Sequence, residues 1–353
     1  MECLMTLGEV PLHLYQITAG FKKLDDMGLI SLKINRQKRR DKNPLPYNML
    51  EVRYKGKCLV FDMNDGYDNL LKPGQDYVEF YNDLLNRCDF LFKRSFKPKM
   101  NSKLQGYEKI KKTAPNFFVS LAGNPAHALA PCDPLPEKFK KVYRALPTDK
   151  HSNACVDESI FSSYPKISPS PKILFISRLW DPEGEYKGQL TEEKSLERHH
   201  LNSRRIACLI QAQKEFGPLF IGGLVPNDYA IKNYPQLVIE GKNLTYKKNY
   251  LNLLKKSDIA LTSMGLHKST GWKFAEYIAA SKAIVCQPLY YQSAGDLAEG
   301  KNYLAFSDEF DMCEKIHQLM DSQKRFQMMR ANKSYYEKYM RCDVNILRAL
   351  SEV

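Results

Sequence analysis

Residues 257–286 restrict what this chain can fold into more than any other stretch. They read Ser257-Asp-Ile-Ala-Leu-Thr-Ser-Met-Gly-Leu-His-Lys-Ser-Thr-Gly-Trp-Lys-Phe-Ala-Glu-Tyr-Ile-Ala-Ala-Ser-Lys-Ala-Ile-Val-Cys286. Residues 259–262 are a short apolar run of the kind that makes a buried strand, and residues 283–286 are a second. Between them Trp272, Ala275, Glu276 and Ala279 recur at helical spacing. The connecting loop is polar: Ser269 and Thr270 suit a helix N-cap, and Gly271 lets a backbone or ligand come close. Such a loop aims unpaired N–H groups and the positive end of a helix dipole at one spot. His267, Lys268 and Lys273 add positive charge there, and Glu276 stands one turn into the helix. The residues describe an anion site with a carboxylate beside it, a combination suited to phosphates that carry a hydroxylated sugar. They equally describe a buried α/β unit with a polar cap.

The totals narrow the rest. The 353 residues suffice for two domains, and 43% hydrophobic content allows large cores. No run of 18 apolar residues occurs, and the first residues lack the basic-then-apolar pattern of a secretory signal. Nine scattered cysteines without a Cys-x-x-Cys pair argue for reduced thiols in a cytoplasmic setting, against a disulfide framework and against a zinc site. The net charge of +13 suits nucleic acid, anionic lipid or phosphorylated substrates. Zinc-finger spacing, an aromatic RNA-binding motif and a long basic tail are all missing, which argues against nucleic acid. The densest basic cluster, residues 33–42, reads as a solvated loop or as contact with an anionic membrane surface.

Along the chain, strands are expected at residues 2–7, 29–34, 57–62, 90–92 and 117–121, with helices over 12–27 and 77–86. Prolines at 165, 169 and 171 mark an exposed connection. Beyond it come strands at 172–177, 219–224, 236–240, 259–262, 283–286 and 303–306, with helices over 195–216, 249–256, 309–322 and 323–339. This alternation predicts a doubly wound parallel sheet, whose ligands bind beyond the carboxyl ends of the strands. Arg178, Gly222, Gly223 and residues 265–273 all fall at such ends. The expected domains are residues 1–160 and 171–340, with a tail over 341–353 that packs back on the first.

At this point the residues resemble a family. Phe274-Ala-Glu-Tyr-Ile-Ala-Ala-Ser-Lys-Ala-Ile-Val-Cys286 resembles the donor-binding segment of GT-B glycosyltransferases. Phe175-Ile-Ser-Arg-Leu179 resembles the strand that opens their second domain, and Gly300-Lys-Asn-Tyr-Leu304 the turn and strand after the donor loop. The resemblance covers residues 170–340. It implies an α/β, GT-B fold of two Rossmann-like domains facing a cleft, the first binding acceptor and the second a nucleotide-sugar. It places Arg178 and Lys187 on the donor diphosphate, although Lys187 is farther from Arg178 than is usual. Many retaining members carry two glutamates eight positions apart. Here the second is Glu276 and the first position holds Lys268, so the stereochemistry is not implied.

The reaction implied is glycosyl transfer to the hydroxyl of a glycan or lipid-linked acceptor, in surface polysaccharide or glycolipid synthesis. No cofactor or metal is implied, the nucleotide-sugar being a co-substrate. Arg178, Lys187, Lys273 and the amides at Thr270-Gly271 would meet the leaving-group charge. An inverting enzyme also needs a base, for which the first domain offers Glu9, Asp62, Asp65 and His127. A basic protein without a membrane span suits work at the inner face of the membrane. A nucleotide-sugar epimerase of the same fold, and a relative that binds sugar without catalysis, are the alternatives.

Overall fold

The computed structural model describes residues 1–8, 10–37, 45–71, 74–121, 123–127, 157–184, 190–239 and 247–353. Two separate sheets organise them, and the chain divides into two units accordingly. The first comprises Met1–Ile160, Tyr290–Gly295 and Glu337–Val353, and the second Phe161–Leu289 and Asp296–Tyr336. Both units are α/β, the class that a GT-B chain requires.

The first unit holds β1 (Glu2–Leu7), β2 (Ser31–Arg36), β3 (Met49–Tyr54), β4 (Lys57–Asp62), β5 (Phe90–Lys93) and β6 (Ile110–Lys112), in the order β2-β1-β3-β4-β5-β6. Five of these strands run the same way, and β3 is antiparallel to both neighbours. Its reversal is made by Lys55-Gly56, with φ of 49° and 76°. Positive φ at both positions of a two-residue loop is the type I′ turn, whose twist matches that of the flanking strands. Sequence reading does not include β3. Helix α1 (Tyr15–Asp26) lies against the sheet, and α2 (Tyr77–Asn86) joins β4 to β5.

In the second unit β7 (Ile173–Ser177), β8 (Phe220–Leu224), β9 (Ile259–Thr262), β10 (Ala283–Cys286) and β11 (Leu304–Ala305) are all parallel, in the order β11-β10-β9-β7-β8. Every residue of β7, β9 and β10 is buried, as continuous apolar runs under helices on both faces should be. The crossovers are α3 (Glu192–Phe216), α4 (Asp228–Asn233), α5 (Lys247–Lys256) and α6 (Trp272–Ala279). Helices α7 (Glu309–Met320) and α8 (Ser322–Tyr335) follow β11. From β7 the chain goes first to one side, to β8, and then to the other, to β9. That reversal opens a crevice at the carboxyl ends of β7 and β9.

Two expected strands do not form. Residues 117–121 form no strand, although Phe117, Phe118 and Val119 are buried, so their apolar run reports burial and not a place in a sheet. Within 236–240 the described residues make a 3-10 turn, Pro235–Leu237, and one isolated bridge from Val238 to Leu224. Pro235 supplies no amide for a ladder. Among the described residues no helix is long and apolar enough to cross a membrane.

The last helix, α9 (Cys342–Ser351), belongs to the first unit. Its Ile346, Ala349 and Leu350 join Leu14, Ile17, Phe21 and Leu24 in one core. Gly20 makes the approach to α1 possible, because a Cβ there would lie 2.3 Å from the Cys342 carbonyl oxygen and 2.5 Å from Ile346 Cγ1. Gly20→Ala is therefore expected to destabilise the chain by about 1–3 kcal/mol through overpacking. A denaturant midpoint equal to that of the parent would show that the two helices have room to separate.

Candidate active site

The crevice at β7 and β9 is built by one face of α3. Glu197, Asn202 and Arg205 of that helix each reach a loop beyond β7 or β9. Arg205 donates from Nη1 to the Arg178 carbonyl at 2.6 Å, from Nε to Ser263 Oγ at 2.9 Å and from Nη2 to the Met264 carbonyl at 2.8 Å. Its guanidinium thus ties the loop after β7 to the loop after β9. Asn202 holds the first loop further, donating to the Trp180 carbonyl at 2.6 Å and accepting from the Trp180 amide at 3.0 Å. Glu197 Oε1 accepts the His267 amide at 2.7 Å in the second loop. Burial lowers the Arg205 pKa to about 10, so it stays charged at neutral pH.

Within the loop after β9, His267 and Lys268 have φ of 57° and 56°. Two successive non-glycine residues in the left-handed region cost about 1 kcal/mol or more each. The Glu197 bond helps hold them there. Ser269 closes the loop back on itself, its carbonyl accepting from Gly265 N at 2.9 Å and its own amide bonding Leu266 O at 3.1 Å. The cap of α6 is Gly271, without a side-chain hydrogen bond, and not Ser269 or Thr270. Gly271 has no side chain with which to cap the amides at the start of α6. Arg178 is exposed, with its guanidinium 4.9 Å from the Trp180 ring centre.

Behind this rim lies a second charge cluster. Glu276 is buried, and both its oxygens are engaged: Lys247 Nζ donates at 2.5 Å and the Tyr250 hydroxyl at 2.6 Å. The expected carboxylate on the pocket wall is therefore turned into the fold. Lys273 Nζ stands 4.4 Å from the Tyr250 ring centre. Burial pulls its pKa down to about 8, with Glu276 opposing the shift and Lys247 and Arg205 adding to it.

The remaining expected donor residues fall differently. Packing accounts for both glycines of β8: a Cβ at Gly222 would sit 2.0 Å from the Phe175 carbonyl oxygen, and one at Gly223, where φ is 151°, 2.8 Å from that of Leu237. Lys187 lies outside the described residues, as does Glu9 in the first unit. His127 ends a 3-10 turn, Pro125–His127.

In the first unit, Asp62 is fully buried at the end of β4. Its carboxylate accepts from Lys93 Nζ at 2.7 Å, the Tyr81 hydroxyl at 2.8 Å, and Asn64 through the amide at 3.0 Å and Nδ2 at 2.9 Å. Lys93 also stacks over the Tyr67 and Tyr81 rings, at 4.2 and 4.5 Å. Burial pushes the Lys93 pKa down while Asp62 holds it up. A carboxylate filled in this way is a structural counter-ion and is poorly placed to take a proton from a substrate. Asp65 is partly exposed and pairs with Arg94 Nη1 at 2.8 Å. The same nitrogen lies 2.8 Å from His13 Nδ1. Because arginine only donates, Nδ1 accepts and the neutral ring carries its proton on Nε2. Burial lowers the His13 pKa to about 4, with Arg94 assisting and Asp65 opposing.

Sequence reading missed Arg205, Asn202, Glu197, Lys247, Tyr250 and His13 as site residues. Arg205 left a signal: Leu201, Arg205, Cys208 and Ala212 follow one another at spacings of four, three and four, and all are buried. An arginine on a buried helix stripe must find partners.

No family model matches the chain, and no curated protein matches it. Among solved structures it is similar to HepE from Anabaena, determined with UDP and glucose, at 11% identity over 100% of both chains and a TM-score of 0.46. It is similar to TarM from S. aureus, determined with UDP, fondaparinux and α-GlcNAc-glycerol, at 14% identity over 81% of this chain, with a TM-score of 0.43. The chain spans 48% of the TarM chain. A putative UDP-N-acetylglucosamine 2-epimerase from Listeria monocytogenes is similar at 10% identity over 98% of this chain and 95% of that one, with a TM-score of 0.39. At these scores the likenesses assign no reaction and no residue role to this chain.

The Asp62 geometry has a direct consequence. Asp62→Ala leaves the Lys93 ammonium buried without its counter-ion and is expected to cost about 3–5 kcal/mol of stability. Unchanged thermal and denaturant unfolding would return Asp62 to the list of candidate bases.

Proposed function

We propose that the chain is a metal-independent, GT-B-type glycosyltransferase that moves a sugar from a nucleoside diphosphate to a hydroxyl of a glycan or lipid-linked acceptor. The observation that carries this reading is the Arg205 clamp across the β7 and β9 loops. It fixes, at the topological switch point of a parallel sheet, a rim that includes Arg178, Lys268 and the glycine-capped start of α6. Among the described residues Arg205 bonds to two neutral carbonyls and a hydroxyl, so these partners do not cancel its charge.

In this reaction the bond from the anomeric carbon to the diphosphate oxygen breaks, and the leaving diphosphate takes the electron pair. The acceptor oxygen bonds to the anomeric carbon and releases its proton to a base. Arg178, His267, Lys268 and Lys273, with the amides at Ser269, Thr270 and Gly271, are proposed to meet the diphosphate. Glu276 is proposed to act through Lys247 and Tyr250, holding the wall of the site without touching the sugar. Asp62 is not proposed as base, because it is spent on Lys93. Asp65 and Glu9 are kept as candidates. The excess of 53 Lys and Arg over 40 Asp and Glu supports an anionic acceptor and a place at the cytoplasmic face of a membrane, in surface polysaccharide or glycolipid synthesis.

The reading is tested by binding and turnover with a panel of nucleotides and nucleotide-sugars. A thermal shift with at least one nucleoside diphosphate is expected, and release of nucleotide with an acceptor present. An epimerase would convert the sugar without any acceptor, and no stabilisation by any nucleotide would overturn the reading. Arg205→Lys, whose point charge cannot reach three acceptors in a fork, is expected to weaken nucleotide binding by about ten-fold. The Lys273 proton is lost as pH rises through about 8, and phosphate needs the charged form. Nucleotide affinity is therefore expected to fall between about pH 7 and about pH 9, and Lys273→Met to abolish that fall.

A further inference from the structure

The first unit contains a cavity of about 230 Å³ that takes no part in the crevice of the second. It opens between the end of β6 and helix α9. Its apolar side is formed by Phe92, Phe96 and Ile110. Lys111, Lys112 and Arg348 surround it, with Glu352 as the one lining carboxylate. Lys111 is matched to Glu352 at 3.8 Å, while among the described residues Lys112 and Arg348 lie over rings, Phe96 at 5.9 Å and Tyr339 at 4.5 Å, and pair with no carboxylate. A cation over a ring keeps its charge and its N–H groups for another partner. Deeper in, Asn345 is 8% exposed. Its Oδ1 accepts from the Ala114 amide at 3.4 Å, which leaves the Nδ2 end of the side chain to donate.

We propose that this cavity binds an organic phosphate. Its phosphate lies among Lys112, Arg348 and Asn345 Nδ2, and its apolar part lies against Phe92, Phe96 and Ile110. The class follows from the count of charges. After Lys111 and Glu352 are paired, two cations are left, which match the nearly two negative charges of a phosphomonoester at neutral pH. The apolar wall gives a substituted phosphate an advantage that the inorganic ion lacks. The phosphate can belong to a soluble molecule or to a lipid headgroup, since both present the same group. The proposal does not depend on the nucleotide reading of the second unit.

The test uses the full chain and two soluble probes, phenyl phosphate and inorganic phosphate, followed by calorimetry. Phenyl phosphate is expected to bind about ten-fold more tightly than inorganic phosphate. The double variant Lys112→Ala/Arg348→Ala, which changes two exposed side chains, is expected to weaken it by at least about ten-fold with little change in unfolding temperature. Lys273→Met leaves this binding intact if the cavity is the site. Co-sedimentation with phosphatidylcholine vesicles carrying phosphatidic acid, lost in the same double variant, would assign the phosphate to a lipid. Soluble binding without vesicle binding would assign it to a free metabolite. Phenyl phosphate binding that survives the double variant, or that disappears in Lys273→Met, would overturn the proposal. So would failure of both the soluble probes and the vesicles to bind.

Discussion

The second unit depends on a buried arginine with neutral partners. Taking a guanidinium out of water is costly, and Arg205 recovers that cost by donating to two carbonyls and a hydroxyl at the carboxyl ends of β7 and β9. The bonds run from a 25-residue helix to two loops, so the helix, sheet and loops form one rigid corner. Asn202 and Glu197 extend the same helix face to Trp180 and His267. Strained backbone at His267 and Lys268 is tolerable only because that corner over-determines it.

The two units place buried cations at comparable positions with opposite electrostatic results. Lys93 lies at the end of β5 and faces the Asp62 carboxylate, so the pair contributes little field outside itself. Arg205 lies under the ends of β7 and β9 and faces dipoles, so its charge still acts on the crevice. Lys273 and Lys247 outnumber the single Glu276 between them. The first arrangement ties the ends of β4 and β5 together inside the sheet; the second leaves a place where an incoming anion is favoured. The same contrast separates Asp62 from the role of base that its position at a strand end suggests.

Much of this was legible in the sequence, for reasons that also explain the failures. Residues 259–262 and 283–286 are buried on both faces, and fully apolar runs advertise such strands directly. Strand β3 was missed because its Lys55-Gly56 turn lacks the Asn or Asp that usually marks a type I′ hairpin, although Leu50, Val52 and Tyr54 alternate. Residues 117–121 mislead in the opposite direction, since a buried run outside any strand looks the same in composition. In the site, the loop 265–271 stood out through its polar residues, but the groups that hold it lie some sixty positions away along the chain, on α3. In the sequence Glu276 looks ligand-facing, because spacing does not reveal that Lys247 and Tyr250 reach it first.

The most direct test of the central claim, that the clamped corner is where a nucleotide is held, is amide hydrogen exchange of the full chain with and without UDP. The account expects slowed exchange at residues 178–180 and 263–273 together, with β4 and β5 unaffected. Protection confined to the first unit, or none across those two loops while UDP is bound, would contradict it.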